Sequence, residues 1–133
     1  MNRSDATQGV EDTVTLFRPV GEAELALIEA SGYHAFPPRR EFQPFFYPIL
    51  TEAYATEIAR DWYTKDSGAG SKGFLTRCRV HALYAVQFPV QTHEATQHQE
   101  LWVHANELAD FNAHIVGSIE VVASFGPGGV RLS

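Results

Sequence analysis

One short segment of this sequence, His98 to His104 (HQELWVH), holds the residue types best suited to chemistry. If the segment is a strand, its period of two puts Leu101 and Val103 on one face and Glu100 and Trp102 on the other. Leu101 and Val103 suit a core. Glu100 would then lie on the opposite face, beside the aromatic ring of Trp102. The pattern fits a half-exposed strand with solvated side chains, and it also fits a cleft carboxylate next to a stacking surface. Periodicity does not separate these two interpretations.

Arg18 is the second candidate, because it ends a predicted strand on the same face as Val14 and Leu16. An arginine in that position commonly sends its charged head to water. Its alternative role is a clamp for phosphate or carboxylate, which the planar guanidinium binds in bidentate fashion.

Histidines and carboxylates between His93 and His104 suggest a metal site, but their spacing argues against one. His93 and His98 are five residues apart, whereas the zinc-protease motif needs two histidines four apart on a helix. We therefore expect no metal and interpret these histidines as loop and surface residues. The glycine-rich run 68–73 lacks the spacing of a phosphate-binding loop, and Cys78 lies on a predicted core face, where a free cysteine is usually inert.

The elements that must position these residues follow from hydrophobic period and from breaking residues. Thr51 is the predicted N-cap of the second helix, whose apolar stripe is Tyr54, Ile58 and Trp62. The order of elements predicts an α+β fold with a mixed or largely antiparallel sheet. We predict strands at 13–18 (ending at Pro19), 45–49, 74–80, 84–91, 98–103 and 119–125, and helices at 22–30, from 52 to about 63, and at 106–113.

Length and composition predict one folded domain over residues 13–125, between a disordered arm (1–12) and a flexible tail (126–133). The chain has 133 residues, 44% of them hydrophobic, and a single cysteine, which favours a reducing compartment. We see no signal peptide and no membrane-spanning run, so we expect a cytoplasmic protein. The net charge of −6 argues against nucleic acid as the main partner and leaves a small anionic ligand open.

From Thr13 to Phe125 the sequence resembles a family of short bacterial proteins labelled "ADP-ribosylation/crystallin J1". The resemblance is carried by TLFRPVGEAELALIEASGYHAFPPR, FYPILTEAYATEIARDW, KDSGAG and HQELWVHANELADFNAHIVGSIEVVASF. The J1-crystallin and ADP-ribosylglycohydrolase proteins are longer and carry acidic metal motifs that this sequence lacks. The layout is more similar to a minimal ADP-ribosyltransferase-like fold, in which a split sheet binds NAD.

This resemblance implies roles for particular residues. Arg18 matches the arginine or histidine of the first core strand, and it would hold an anionic part of NAD. Glu100 matches the glutamate of a late strand, and it would be the catalytic residue of an ADP-ribosyltransferase or NAD glycohydrolase. The middle site position stays open among three residues: Tyr47, Thr51 and Tyr54.

An aromatic residue, Trp102 or one of the tyrosines, would pack on the nicotinamide ring. A non-catalytic binding or regulatory domain on the same scaffold is the alternative, and it predicts an ion pair between Glu100 and Arg18 or Arg77. A protein-interaction module is a third possibility, and it predicts an exposed apolar patch. The expected ligand is a small nucleotide; neither the acceptor nor an oligomeric state follows from the sequence.

Overall fold

A computed structural model of the chain describes residues 12–39, 43–64, 72–93 and 98–133. Apart from Asp12, the predicted N-terminal arm lies outside the described residues, and so do residues 65–71 of the glycine-rich loop. Within the described ranges the fold is α+β, with small antiparallel sheets and four α-helices, whereas we predicted three.

The strands are β1 (Thr13–Gly21), β2 (Phe45–Phe46), β3 (Gly73–His81), β4 (Val90–His93), β5 (His98–Leu101), β6 (Val103–His104) and β7 (Glu120–Phe125). The α-helices are α1 (Glu22–Ala30), α2 (Glu52–Asp61), α3 (Ala82–Ala85) and α4 (Leu108–Ala113), with 3₁₀ turns at Ala105–Glu107 and Pro127–Gly129. The predicted strand 98–103 is thus divided into β5 and β6, and Ile49 lies outside β2.

The main sheet consists of two parts that are connected through residues 48–50, which we call the joint. β1, β3 and β7 form one antiparallel part with β3 in the middle, and β4 pairs with β5 in the other. The backbones of Phe17 and Ile49 exchange two hydrogen bonds of 2.8 Å. On the opposite edge of the joint, Leu50 N–H donates to Gln99 and Leu101 N–H donates to Pro48, both at 2.8 Å. The order across the sheet is therefore β7, β3, β1, joint, β5, β4.

The two faces of this sheet carry separate cores. The face that we call the major face packs against α1, α3 and α4, and the other, the α2 face, packs against α2. The buried residues of the larger core include Leu16, Val20, Ile28, Phe46, Cys78, Val80, Tyr84, Leu101, Val103 and Phe111. Those of the smaller core are Phe17, Ile49, Ala55, Ala59, Leu75, Ala123 and Phe125. The predicted alternation of β3, with Cys78 on the core side, is confirmed.

The prediction that β1 ends at Pro19 is wrong, since the strand continues to Gly21. The amide of Phe17 points to the joint, and alternation turns the nitrogen of Pro19 to the same side. The missing N–H of proline therefore falls outside the ladder with β3, where Pro19 pairs with Leu75. Proline is tolerated at this position because its missing N–H faces the joint, which pairs with β1 over a shorter length than β3 does.

The predicted apolar stripe of α2 is also wrong in part. Ala55 and Ala59 are the residues fully buried against the sheet, with Tyr54 and Ile58 beside them, whereas Trp62 is 70% exposed. The small alanines allow the helix to approach the sheet closely. A pattern search weighted towards large side chains shifts the predicted face of such a helix by part of a turn.

The strand predicted for residues 84–91 is mostly helix and turn. Tyr84, Ala85 and Phe88 are buried, and this spacing of three to four is helical. Only the end of the segment extends, as β4. The tail that we expected to be flexible turns back on β7, where Leu132 N–H donates to the Ser124 carbonyl at 2.7 Å.

Candidate functional site

A cross-strand row of side chains on the α2 face contains Glu100. Directly opposed residues of antiparallel strands project to the same face. Phe17 is bridged to Ile49, and Ile49 is bridged to Glu100. The row extends the other way through Arg77 of β3 to Glu120 of β7. We call these five residues the cross-strand row.

Glu100 is held next to an aromatic surface at the end of this row. The indole N–H of Trp102 donates to Oε1 of Glu100 at 3.2 Å. The Trp102 ring centre lies 5.6 Å from that of Tyr47 and 5.4 Å from that of Phe45. These side chains are all partly exposed. A carboxylate therefore borders a group of tilted rings that a ligand can reach.

The remaining two candidates for the middle position lie on the other side of Glu100. The Tyr54 ring stacks on the His98 ring at 4.3 Å and an angle of 11°. His98 precedes Glu100 by two residues on β5, so both side chains project to the same face. Thr51 lies at the N-cap of α2 and makes no side-chain cap bond; its hydroxyl accepts from the Gln99 N–H at 3.4 Å. The structure thus brings Glu100, Trp102, Tyr47 and Tyr54 to one side of the sheet.

Arg18 is not brought to Glu100. Its neighbour Phe17 belongs to the α2 face, so alternation directs Arg18 to the major face. There its guanidinium forms a bidentate ion pair with Glu24 of α1, with Nε–Oε2 and Nη2–Oε1 distances of 2.6 and 2.9 Å. It also lies over the Phe46 ring, 4.8 Å from its centre. The role of Arg18 in binding NAD stays a prediction.

Arg39 also places a guanidinium near the site, although it is not among the residues predicted from the sequence. Its Nε donates to the Phe45 carbonyl at 3.0 Å, which places it beside the aromatic surface. Burial, followed by repulsion from Arg18, lowers the pKa of Arg39 below its usual value. The group stays cationic, because an arginine pKa starts far above neutral pH. Its only sequence signal was a proline-rich loop, which predicts no position.

Arg77, the other expected partner of Glu100, is paired elsewhere. Its Nη2 lies 2.8 Å from Oε1 of Glu120 on β7. A cavity of about 300 Å³ lies on the α2 face. It is lined by three residues of the cross-strand row, Phe17, Arg77 and Glu120, and by Thr15 and Arg79. Alternation along β3 puts Arg77 and Arg79 on the same face, but no sequence pattern predicted a concave surface there.

Two further findings concern other chemistry. Among the described residues no three histidine, cysteine or acidic side chains are grouped closely enough to hold a metal ion. Burial raises the pKa of the Cys78 thiol to about 12, so the reactive thiolate is disfavoured. In the described part of the chain no helix has both the length and the apolar character needed to cross a membrane.

Comparison with known proteins adds no family assignment. No protein-family model matches the chain, and neither does any curated protein or solved structure. Arguments about function therefore depend on the geometry of the site.

Proposed function

We propose that this chain is a minimal ADP-ribosyltransferase-like domain that binds NAD on the aromatic surface beside Glu100. The observation that carries the proposal is the hydrogen bond between Trp102 and Glu100, with Tyr47 packed on the indole. This hydrogen bond orients the Glu100 carboxylate next to aromatic rings on which a planar heterocycle could pack. The proposed activity is transfer of ADP-ribose or hydrolysis of NAD.

The residue types fit the chemistry of the nicotinamide–ribose bond. Its cleavage builds positive, oxocarbenium-like charge on the ribose, as glycoside cleavage does. The Glu100 carboxylate would stabilise that charge, and aimed electrostatic groups commonly supply the largest part of a rate enhancement. Tyr47 and Trp102 would pack on the nicotinamide ring, with about 0.5–1.5 kcal/mol from an aromatic pair beyond burial.

The layout of the sheet supports the same proposal. β1, the joint and β5 are adjacent, although they come from three separate segments of the sequence. The resemblance described above assigns the NAD site to a split sheet, and here the sheet has two parts. The Arg18 guanidinium is paired with Glu24, so its contact with NAD stays a prediction. Arg39, whose Nε donates to the Phe45 carbonyl, is a second cation close to the aromatic surface.

The test is a calorimetric titration with NAD, together with a measurement of nicotinamide release. In Glu100→Gln we expect release to fall by about 100-fold or more, because one aimed electrostatic contact is lost. NAD binding should persist. Glu107→Gln is the matched control, since Glu107 is exposed on the 3₁₀ turn before α4. Full release in Glu100→Gln, or no binding of millimolar NAD to the unaltered protein, would overturn the proposal.

A second candidate is a non-catalytic nucleotide-binding domain on the same scaffold. The ion pair of Arg18 with Glu24 favours it, because that pair uses for structure a residue that a transferase would use for its substrate. This candidate predicts binding without nicotinamide release. Trp102→Ala should then weaken binding, whereas Glu100→Gln should leave it nearly unchanged.

A further inference from the structure

The cavity on the α2 face is lined by residues of β1, β3 and β7, away from the aromatic surface. Its volume is about 300 Å³, and its lining residues are Thr15, Phe17, Arg77, Arg79 and Glu120. The Phe17 side chain is buried, whereas Thr15 and Arg79 are exposed. The cavity is therefore a polar recess whose apolar part is the Phe17 side chain.

The charges of this recess are unbalanced towards positive. Two guanidiniums face one carboxylate, which gives a local charge of +1 in a chain of net charge −6. Glu120 pairs with Arg77 at 2.8 Å. Arg79 makes no ion pair with any residue that the structure describes. Its nearest like charge on the strand is Arg77, about 7 Å away along the backbone. An arriving anion would relieve this repulsion.

The donors suit a phosphoryl group. Arg77 and Arg79 present planar forks from the same face of one strand, and such forks match phosphate oxygens in bidentate fashion. The Thr15 hydroxyl, directly opposite Arg79 in the ladder, adds a neutral donor. A tetrahedral oxyanion between the two arginines would contact donors on two strands.

We propose that this recess is a binding site for phosphate or diphosphate groups, with Arg79 as its principal ligand and Arg77 shared between the anion and Glu120. The inference goes beyond the proposed function, since binding of an inorganic anion requires neither NAD nor Glu100. The two sites are nevertheless connected by the cross-strand row. Arg77 lies three strand positions from Glu100, about 14 Å between backbones. A single ligand that contacts both sites would have to span this distance.

The experiment is a titration with inorganic pyrophosphate, followed by calorimetry at fixed ionic strength. We expect saturable binding by the unaltered protein and about tenfold weaker binding by Arg79→Gln, the loss of one charged hydrogen-bonding group. Arg60→Gln is the matched control. Arg60 is a half-buried arginine of α2 that already pairs with its neighbour Asp61. Both variants change net charge equally.

Glu120→Gln gives a prediction of opposite sign. Removing its carboxylate frees Arg77, so pyrophosphate should bind several-fold more tightly. Glu57→Gln, at an exposed position of α2, makes the same change in net charge. Equal effects of Arg79→Gln and Arg60→Gln, or of Glu120→Gln and Glu57→Gln, would overturn the inference in favour of a general charge effect.

The same variants separate the two proposals. Pyrophosphate binding that depends on Arg79, without NAD binding, leaves the anion site standing and removes the proposed function. NAD binding that is unchanged in Arg79→Gln, without pyrophosphate binding, removes the anion site and leaves the proposed function standing. Circular dichroism of each variant verifies that the fold is retained.

Discussion

At the scale of single residues, Arg18 shows how a side chain suited to a ligand can be used for structure. Its guanidinium is buried, and a charge in that position needs a partner and hydrogen bonds. Glu24 supplies both, and the Phe46 ring adds a cation–π contact. Glu24 stands in the first turn of α1, where its sequence position indicates only a favourable interaction with the helix dipole.

Replacing Glu24 with glutamine should therefore destabilise the protein. Arg18 would keep its buried charge and lose its ion pair, so we expect the free energy of unfolding to fall by about 2–3 kcal/mol. Urea denaturation measures this loss. Glu22→Gln, in the same first turn but exposed, should cost less than about 0.5 kcal/mol. Equal losses in the two variants would mean that Glu24 stabilises the protein through the helix dipole and not through its ion pair with Arg18.

At the scale of elements, the sequence predicts those whose hydrophobic period is carried by large side chains. The helix predicted for residues 22–30 coincides with α1, and the alternation of β3 is confirmed. α2 was placed correctly, but its buried face was not, because Ala55 and Ala59 carry little hydrophobic weight. The bridging role of Ile49 could not be predicted, since pairing on both edges depends on β1 and β5, which are distant in the sequence.

Gly73 is the element-scale feature with the sharpest consequence. A Cβ atom built there would lie 2.0 Å from the Ala59 carbonyl oxygen, so only glycine permits this approach of α2 to β3. Gly73→Ala should lower the free energy of unfolding by about 3 kcal/mol, because helix or strand backbone must move. Thermal and urea unfolding measure the change.

Gly21 provides a matched control, since it pairs directly with Gly73 in the ladder. A Cβ atom at Gly21 would meet the Tyr63 ring at 3.1 Å, and a side chain yields more readily than backbone. Gly21→Ala should therefore cost clearly less than Gly73→Ala. Comparable losses at both positions would contradict the backbone contact as the cause.

The candidate site was predicted in part. Period two placed Glu100 and Trp102 on a face away from the core, and the structure joins them by a hydrogen bond. The partners of Arg18 and Arg77 were not predictable, because Glu24 and Glu120 reach them only through tertiary packing. Short motifs fix the face of a side chain and leave its partner open.

At the scale of the whole molecule, stability should fall in alkaline solution. Burial raises the pKa of Cys78 from 9.0 to about 12. Below pH 9 both the folded and the unfolded chain keep the thiol proton. Above pH 9 the unfolded chain releases it first, so the free energy of unfolding falls as pH rises towards 12. By pH 10 the loss should be roughly 1 kcal/mol relative to pH 8.

Urea denaturation at pH 8 and pH 10 checks this expectation. Cys78→Ala should lose less stability between these two values, whatever its stability at pH 8. Burial also raises the pKa of Tyr84 to about 12, but from a starting value of 10.0, so its contribution begins at higher pH. An unchanged loss in Cys78→Ala would assign the alkaline effect to other groups.

The joint gives the molecule a mechanical property. Among the described residues, four backbone hydrogen bonds through residues 48–50 connect the half-sheet of β1, β3 and β7 to that of β4 and β5. The two half-sheets are formed by different segments of the chain. The joint hydrogen-bonds to β1 on one edge and to β5 on the other, so its hydrogen bonds are complete only when both half-sheets have formed. Local opening there would separate Arg77 from Glu100 while each half keeps its own pairing. A ligand that contacts both halves would stabilise the joined state. Its binding should therefore slow hydrogen exchange at the backbone amides of Ile49 and Leu101.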